Sequence, residues 1–100
     1  MRPIYAAQLD KRRPVLVLTR EHALGVLAHV TVAPITGTAR GLRTEVPVGP
    51  DNGLDQPSVI SCDNIITIST AALGDRIGAL LDHQEPALTA AIHWAFDLEP

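Results

Sequence analysis

Arg13, Thr36, Arg40 and Arg43 are the side chains in this sequence best suited to hold an anion. Arg13 stands directly before an aliphatic run, P-V-L-V-L-T (14–19), so a rigid strand would carry it. A guanidinium held that way makes a good phosphate clamp, because its planar fork matches phosphate oxygens. Thr36 opens a small polar loop in A-P-I-T-G-T. A loop hydroxyl and nearby backbone N–H groups can bond a non-bridging phosphate oxygen. Arg40 and Arg43 follow within and after that loop, placed to meet flanking phosphates. Lys11 and Arg12 extend the basic cluster ahead of Arg13. Three groups stand near enough in sequence to serve as a base: Asp10, nearest to Arg13, then Glu21 and His22.

Other chemistries lack their residues. The chain has no phosphate-loop glycine pattern, no H-E-x-x-H and no G-x-S-x-G. D-N-G-L-D (51–55) is too short for a calcium loop and lacks the closing Glu. Cys62 is alone, so neither an internal disulfide nor a zinc site is available to it. His93 falls mid-helix and reads as structural or exposed. No metal or cofactor is expected. Tyr5, Trp94 and Phe96 are the only aromatics, too few for a base-stacking platform.

Charge is unevenly spread. Residues 1–43 carry seven basic side chains against Asp10 and Glu21, a local charge of +5, while residues 44–100 carry Arg76 against nine acids, or −8. A basic face for an anionic partner is therefore compatible with a net charge of −3. With 100 residues the chain is read as one domain, residues 1–100. No charged-then-apolar leader and no apolar run near 18 residues is present, which predicts a cytoplasmic protein rather than a secreted or membrane one.

The elements that must position these side chains are mostly strands. P-I-Y-A-A-Q-L (3–9) reads as a short strand, D-K-R (10–12) as a hairpin turn, and P-V-L-V-L-T as a strand buried on both faces. R-E-H-A-L predicts one helical turn stopped by Gly25. H-V-T-V-A-P-I-T and L-R-T-E-V-P-V flank T-G-T-A-R-G, and predict a hairpin with a medium loop. Pro34 and Pro47 cannot donate to a ladder and point to edges or bulges. S-V-I-S-C-D-N-I-I-T-I (58–68) reads as a strand broken near Asp63–Asn64. G-D-R-I-G-A-L-L (74–81) fits a strand or a helix by pattern, and its two glycines favour the strand. The chain closes with a helix. Asp82 and Glu85 have capping-box spacing, and Leu88, Ala91, Ile92, Ala95 and Phe96 share one face. Short strands followed by one helix predict a mainly β (α+β) fold, a small barrel or open sheet with a packed C-terminal helix.

R-R-P-V-L-V-L-T, V-T-V-A-P-I-T-G-T-A-R-G-L-R-T-E-V-P-V-G, S-V-I-S-C-D-N-I-I-T-I and L-G-D-R-I-G-A-L-L occur in the order and spacing of the MazF/PemK toxins, which this chain resembles from about Ile4 to Leu98. The resemblance implies a CcdB/PemK-type SH3-like barrel, a homodimer, and a sequence-specific, metal-independent endoribonuclease acting on mRNA, tRNA or rRNA. It also implies neutralisation by a cognate, MazE-like antitoxin whose tail lies in the RNA groove. The family's catalytic Arg corresponds to Arg13 and its catalytic Thr or Ser to Thr36. The family often uses an acid nearby, which favours Asp10 and Glu21 over His22. Gln56 and Ser58 would read bases or line the dimer groove. Most members carry a longer loop before R-P, where this chain has only Asp10, Lys11 and Arg12. Two other readings share the fold: a CcdB-like gyrase poison, and a non-catalytic RNA-binding barrel.

Overall fold

The structure is a computed structural model and describes residues 1–99. Seven strands and one helix follow in order: β1 (Pro3–Gln8), β2 (Arg12–Val17), β3 (His29–Thr36), β4 (Glu45–Val48), β5 (Ser58–Ser61), β6 (Ile66–Ser69), β7 (Leu73–Ala79) and α1 (Glu85–Ala95). Every ladder is antiparallel. The strands run β4-β5-β3-β2-β1-β7, with β6 also paired to β3. No ladder joins β4 to β7, so the sheet is open, and its two apolar faces give a small barrel-like body.

β2 is buried on both faces, as its unbroken apolar run implies. Val15, Leu16 and Val17 are fully buried. Alternation sends Leu16 into a cluster with Ile4, Ile60, Leu80 and Leu88, beneath α1. Val15 and Val17 enter a second cluster with Ala7, Val30 and Val32. The β1–β2 hairpin forms as expected, closing through Leu9, Asp10 and Lys11.

The expected hairpin between β3 and β4 does not form. β5 lies between them, with Ile60 paired to Ile35 on one side and to Val46 on the other. The 37–44 connection is long enough to cross a neighbouring strand. β5 brings Val59 and Ile60, both buried, to the inner position, whereas β4 carries exposed Pro47 and suits an edge. Pro34, in contrast, sits in a central strand. It lies where β3 changes partner, from β6 at residues 29–32 to β5 at residues 35–36, so its missing N–H coincides with a break in the ladder. That break is the 3-10 turn Cys62–Asn64, where residues 58–68 were expected to be interrupted.

Two local expectations at the C-terminus give way to tertiary contacts. Asp82 caps nothing through its side chain; it opens a 3-10 turn, Asp82–Gln84. Gln84 reaches back instead, accepting from the Leu81 N–H at 2.9 Å, because buried Asn52 holds it from the other side at 2.6 Å. Glu85 turns away to Arg2, 3.2 Å distant. Leu88 and Ala91 are buried and Ile92 and Ala95 pack against the same cluster, but Phe96 ends the helix 54% exposed. Among the described residues no helix is long and apolar enough to cross a membrane.

Candidate active site

Arg13 and Thr36 stand on neighbouring strands and on one face of the sheet. The β2–β3 register pairs Val17 with Val32 and Val15 with Pro34. Two residues further along each strand, alternation puts Arg13 and Thr36 on the same face as those pairs. Beneath them Val15, Val17, Val30 and Val32 are packed in the second cluster, so both side chains rise from a rigid base.

Above that base opens a groove of about 840 Å³. Asp10, Arg13, Thr36 and Arg40 all line it, with Pro34 among its apolar residues and Leu9 and Ile66 beside it. The tight β1–β2 turn brings Asp10 Oδ2 within 3.2 Å of Arg13 Nη2. Arg13 Nε is buried and has no hydrogen-bond partner within the described chain. Thr36 Oγ1 accepts from the Thr38 N–H at 3.2 Å, which turns the loop away from the strand end. The groove thus offers a fixed cation, a hydroxyl oriented by the backbone, and a carboxylate beside the cation. Among the described residues no three His, Cys, Asp or Glu side chains gather as metal ligands do.

Glu21 and His22 are not brought to this groove. The β2–β3 connection carries them to a 3-10 turn, where Glu21 lies 3.6 Å from Arg76 of β7 and borders a separate, smaller depression beside Met1 and Glu85. Arg43 also turns away, stacking its guanidinium 4.6 Å from the Trp94 ring centroid. Lys11 and Arg12 are exposed at the hairpin rim, with Arg12 leaning against Gly74. Gln56 abuts Gly37: a Cβ there would come 2.6 Å from Gln56 Nε2. Ser58 Oγ donates to the Gln56 carbonyl, so both lie beside the loop that Thr36 begins.

The chain matches the family described as "PemK-like, MazF-like toxin of type II toxin-antitoxin system" over residues 2–96. It belongs to that family. Among this toxin's relatives, "Endoribonuclease MazF3" of Mycobacterium tuberculosis is 65% identical over 99 residues, covering 99% of this chain and 96% of that one. The solved "Mycobacterium tuberculosis toxin MazF-mt6" superposes with a TM-score of 0.97 at 64% identity, over 99% of this chain and all of that one. A mycobacterial endoribonuclease solved in complex with its cognate antitoxin is 26% identical, with a TM-score of 0.86 over 98% of this chain and 94% of its own.

Sequence reasoning missed the toxin's opposite groove wall. Glu45, Ser61, Asp63 and Asn64 line it. Thr44 Oγ1 donates to Asp63 Oδ2 at 2.6 Å, and Asn64 Nδ2 donates to Ser61 Oγ at 2.7 Å. These residues come from β4, from the end of β5 and from the turn after it, and only the placement of β5 beside β3 brings them into one groove with Thr36. An acid directly after a glycine-containing loop was the one available signal for Glu45.

Proposed function

We propose that this toxin cuts single-stranded RNA at specific sequences without a metal ion, by directing the RNA's own 2′-OH at the adjacent phosphate. The chain is a toxin endoribonuclease of a type II toxin–antitoxin system, as its family and the naming of relatives at 65% and 38% identity as endoribonucleases support. Nothing comparable supports the gyrase-poison or non-catalytic readings. The finer mechanism rests on one observation: Arg13, Thr36 and Asp10 line one groove, with Asp10 3.2 Å from the guanidinium.

In this mechanism Asp10 takes the 2′-OH proton as the O2′–P bond forms. Arg13, a permanent cation, stabilises the charged phosphorane and hydrogen-bonds the 5′ oxygen as the P–O5′ bond breaks, and that oxygen takes its proton from solvent. Thr36 Oγ1 donates to a non-bridging oxygen. It is free to do so because the Thr38 N–H bond uses it only as an acceptor. The products are a 2′,3′-cyclic phosphate and a 5′-hydroxyl. DNA is spared because it has no 2′-OH. Arg40, Lys11 and Arg12 hold flanking phosphates, and Gln56 and Ser58 lie where the next nucleotide would pass. Arg43 acts at one remove, through Trp94.

The partners are RNA, a second copy of the chain and a cognate antitoxin. An acidic, MazE-like tail complements the groove's cations, and the antitoxin complex of a 26% identical relative supports such a partner. The half-exposed Ile66 and the exposed Ile77, Val26 and Leu27 supply apolar surface for a homodimer. The cytoplasm, where RNA is met and Cys62 stays reduced, is the compartment in which this activity inhibits translation and growth. Purified protein incubated with total RNA in EDTA should give discrete cuts with 5′-hydroxyl ends, and Arg13→Ala should give none. Cleavage that needs added metal, or an active Arg13→Ala, would sink the mechanism.

A further inference from the structure

The groove's cation wall is held from inside by a carboxylate. Glu45 Oε1 accepts from the Arg40 N–H and the Leu42 N–H, each at 3.0 Å, and Oε2 accepts from the Arg40 N–H again at 3.2 Å. Between those residues Gly41 has φ +75°, the left-handed conformation that turns alternate N–H groups toward one point. Successive N–H groups converging this way make an anion-binding concavity. Here the anion is the protein's own. The Glu45 N–H donates back to the Leu42 carbonyl at 3.1 Å, which closes the loop on the first residue of β4.

We infer that Glu45 is a positioning residue: by filling the backbone concavity at Arg40–Leu42 it preforms the 37–44 loop, so that Arg40 stands in the groove before RNA arrives. This rests on the reading of the groove as the RNA site. Two consequences follow from the chemistry. The Arg40 and Leu42 N–H groups are already spent, so a phosphate on this wall must be bound by the Arg40 guanidinium rather than by loop backbone. Without Glu45, a loop containing Gly37 and Gly41 would order only on binding, and affinity would carry that entropy. The effect belongs in KM, because Arg13 and Thr36 are built on the valine cluster and not on this loop.

The test pairs amide exchange with a double-mutant cycle. In the wild type the Arg40 and Leu42 amides should exchange at least tenfold more slowly than that of Ala39 in the same exposed loop. Glu45→Ala should abolish that difference. On an RNA substrate found by end mapping, Glu45→Ala and Arg40→Ala should each raise KM about tenfold and leave kcat within about threefold, as expected for lost uniform binding. The double variant should be no worse than either single one, because both remove the same contact. Glu45→Leu, which keeps the side chain's bulk on the strand but offers no acceptor to the Arg40 and Leu42 N–H groups, carries the same test if Glu45→Ala does not fold. Unprotected Arg40 and Leu42 amides in the wild type would overturn the inference. So would losses that multiply in the double variant, or a fall confined to kcat. Protected amides in a protein that cuts no RNA would instead refute the ribonuclease mechanism, since the exchange measurement does not depend on cleavage.

Discussion

Arg13→Ala separates a catalytic cation from a structural one. The side chain is 24% exposed, and its charged partner Asp10 is 74% exposed. An ion pair that open to water is worth roughly 0–1 kcal/mol. Against that small loss stands Nε, buried without a partner. A buried unsatisfied polar group costs about 1–3 kcal/mol, which truncation relieves. Packing lost from the stem offsets part of that gain. Removing Arg13 should therefore change stability by no more than about 1 kcal/mol in either direction. That corresponds to roughly 4–8 °C in Tm for a domain of this size. Activity should fall much further. Deleting one preorganised donor aimed at developing charge costs about 10²–10³ in kcat, or roughly 2.7–4 kcal/mol. In the proposed mechanism Arg13 also neutralises the phosphorane, so the loss should reach at least the upper end of that range. The assay is cleavage of a defined oligoribonucleotide in EDTA, with thermal unfolding of the same preparations. A variant that stays folded and loses three orders of magnitude supports the reading. A variant that loses activity only in proportion to a lowered Tm, or that retains more than a tenth of wild-type kcat, refutes it.

Three further outcomes are expected. Thr36→Val keeps the shape and loses the hydroxyl, so kcat should fall about 10²-fold while Thr36→Ser stays within a few-fold of wild type; equal losses in the two would deny the hydroxyl a role. Burial, with nearby Asp63 second, pushes the Cys62 thiol up from 9.0 to about 11. A native state that favours the protonated thiol has that stability in full below pH 9, and loses it as pH rises through about 11. Urea midpoints should accordingly fall more steeply from pH 9 to 11 in wild type than in Cys62→Ala, and Cys62 should react slowly with a disulfide reagent at pH 8. Gly78→Ala would drive a Cβ into the carbonyl oxygen of Asn52, and to 2.7 Å from its carbon, where the 49–54 turn crosses β7. Overpacking of backbone on backbone should cost about 1–3 kcal/mol, and an unchanged denaturation midpoint would show that the crossing yields.

Much of the molecule was written along the chain, because its signals are local. The uninterrupted P-V-L-V-L-T run reports burial on both faces, since neither set of alternating side chains is polar. The pair Arg13 and Thr36 could be named because each is tied to the end of a recognisable strand. The groove's far wall could not. Glu45, Asp63 and Asn64 share a groove with Thr36 only because β5 inserts between β3 and β4. Local cues favoured the hairpin, but β5 can bond on both sides, whereas Pro47 lacks an N–H and suits β4 to the edge.

The C-terminal cap shows the same division: Asp82 and Glu85 have the right spacing, but Gln84 is recruited by Asn52 across the fold. The family resemblance favoured Glu21 as a base alongside Asp10, although Asp10 is nearer to Arg13 along the chain. The tight turn of one hairpin put Asp10 beside Arg13, and the course of the β2–β3 connection put Glu21 beside Arg76. The sequence by itself determined most of the strands, the buried β2, and Arg13 and Thr36 near strand ends as candidates for the site. Tertiary structure alone decided the sheet order, the acid beside Arg13 and the carboxylate that holds Arg40, because each depends on contacts between segments that local preference cannot register.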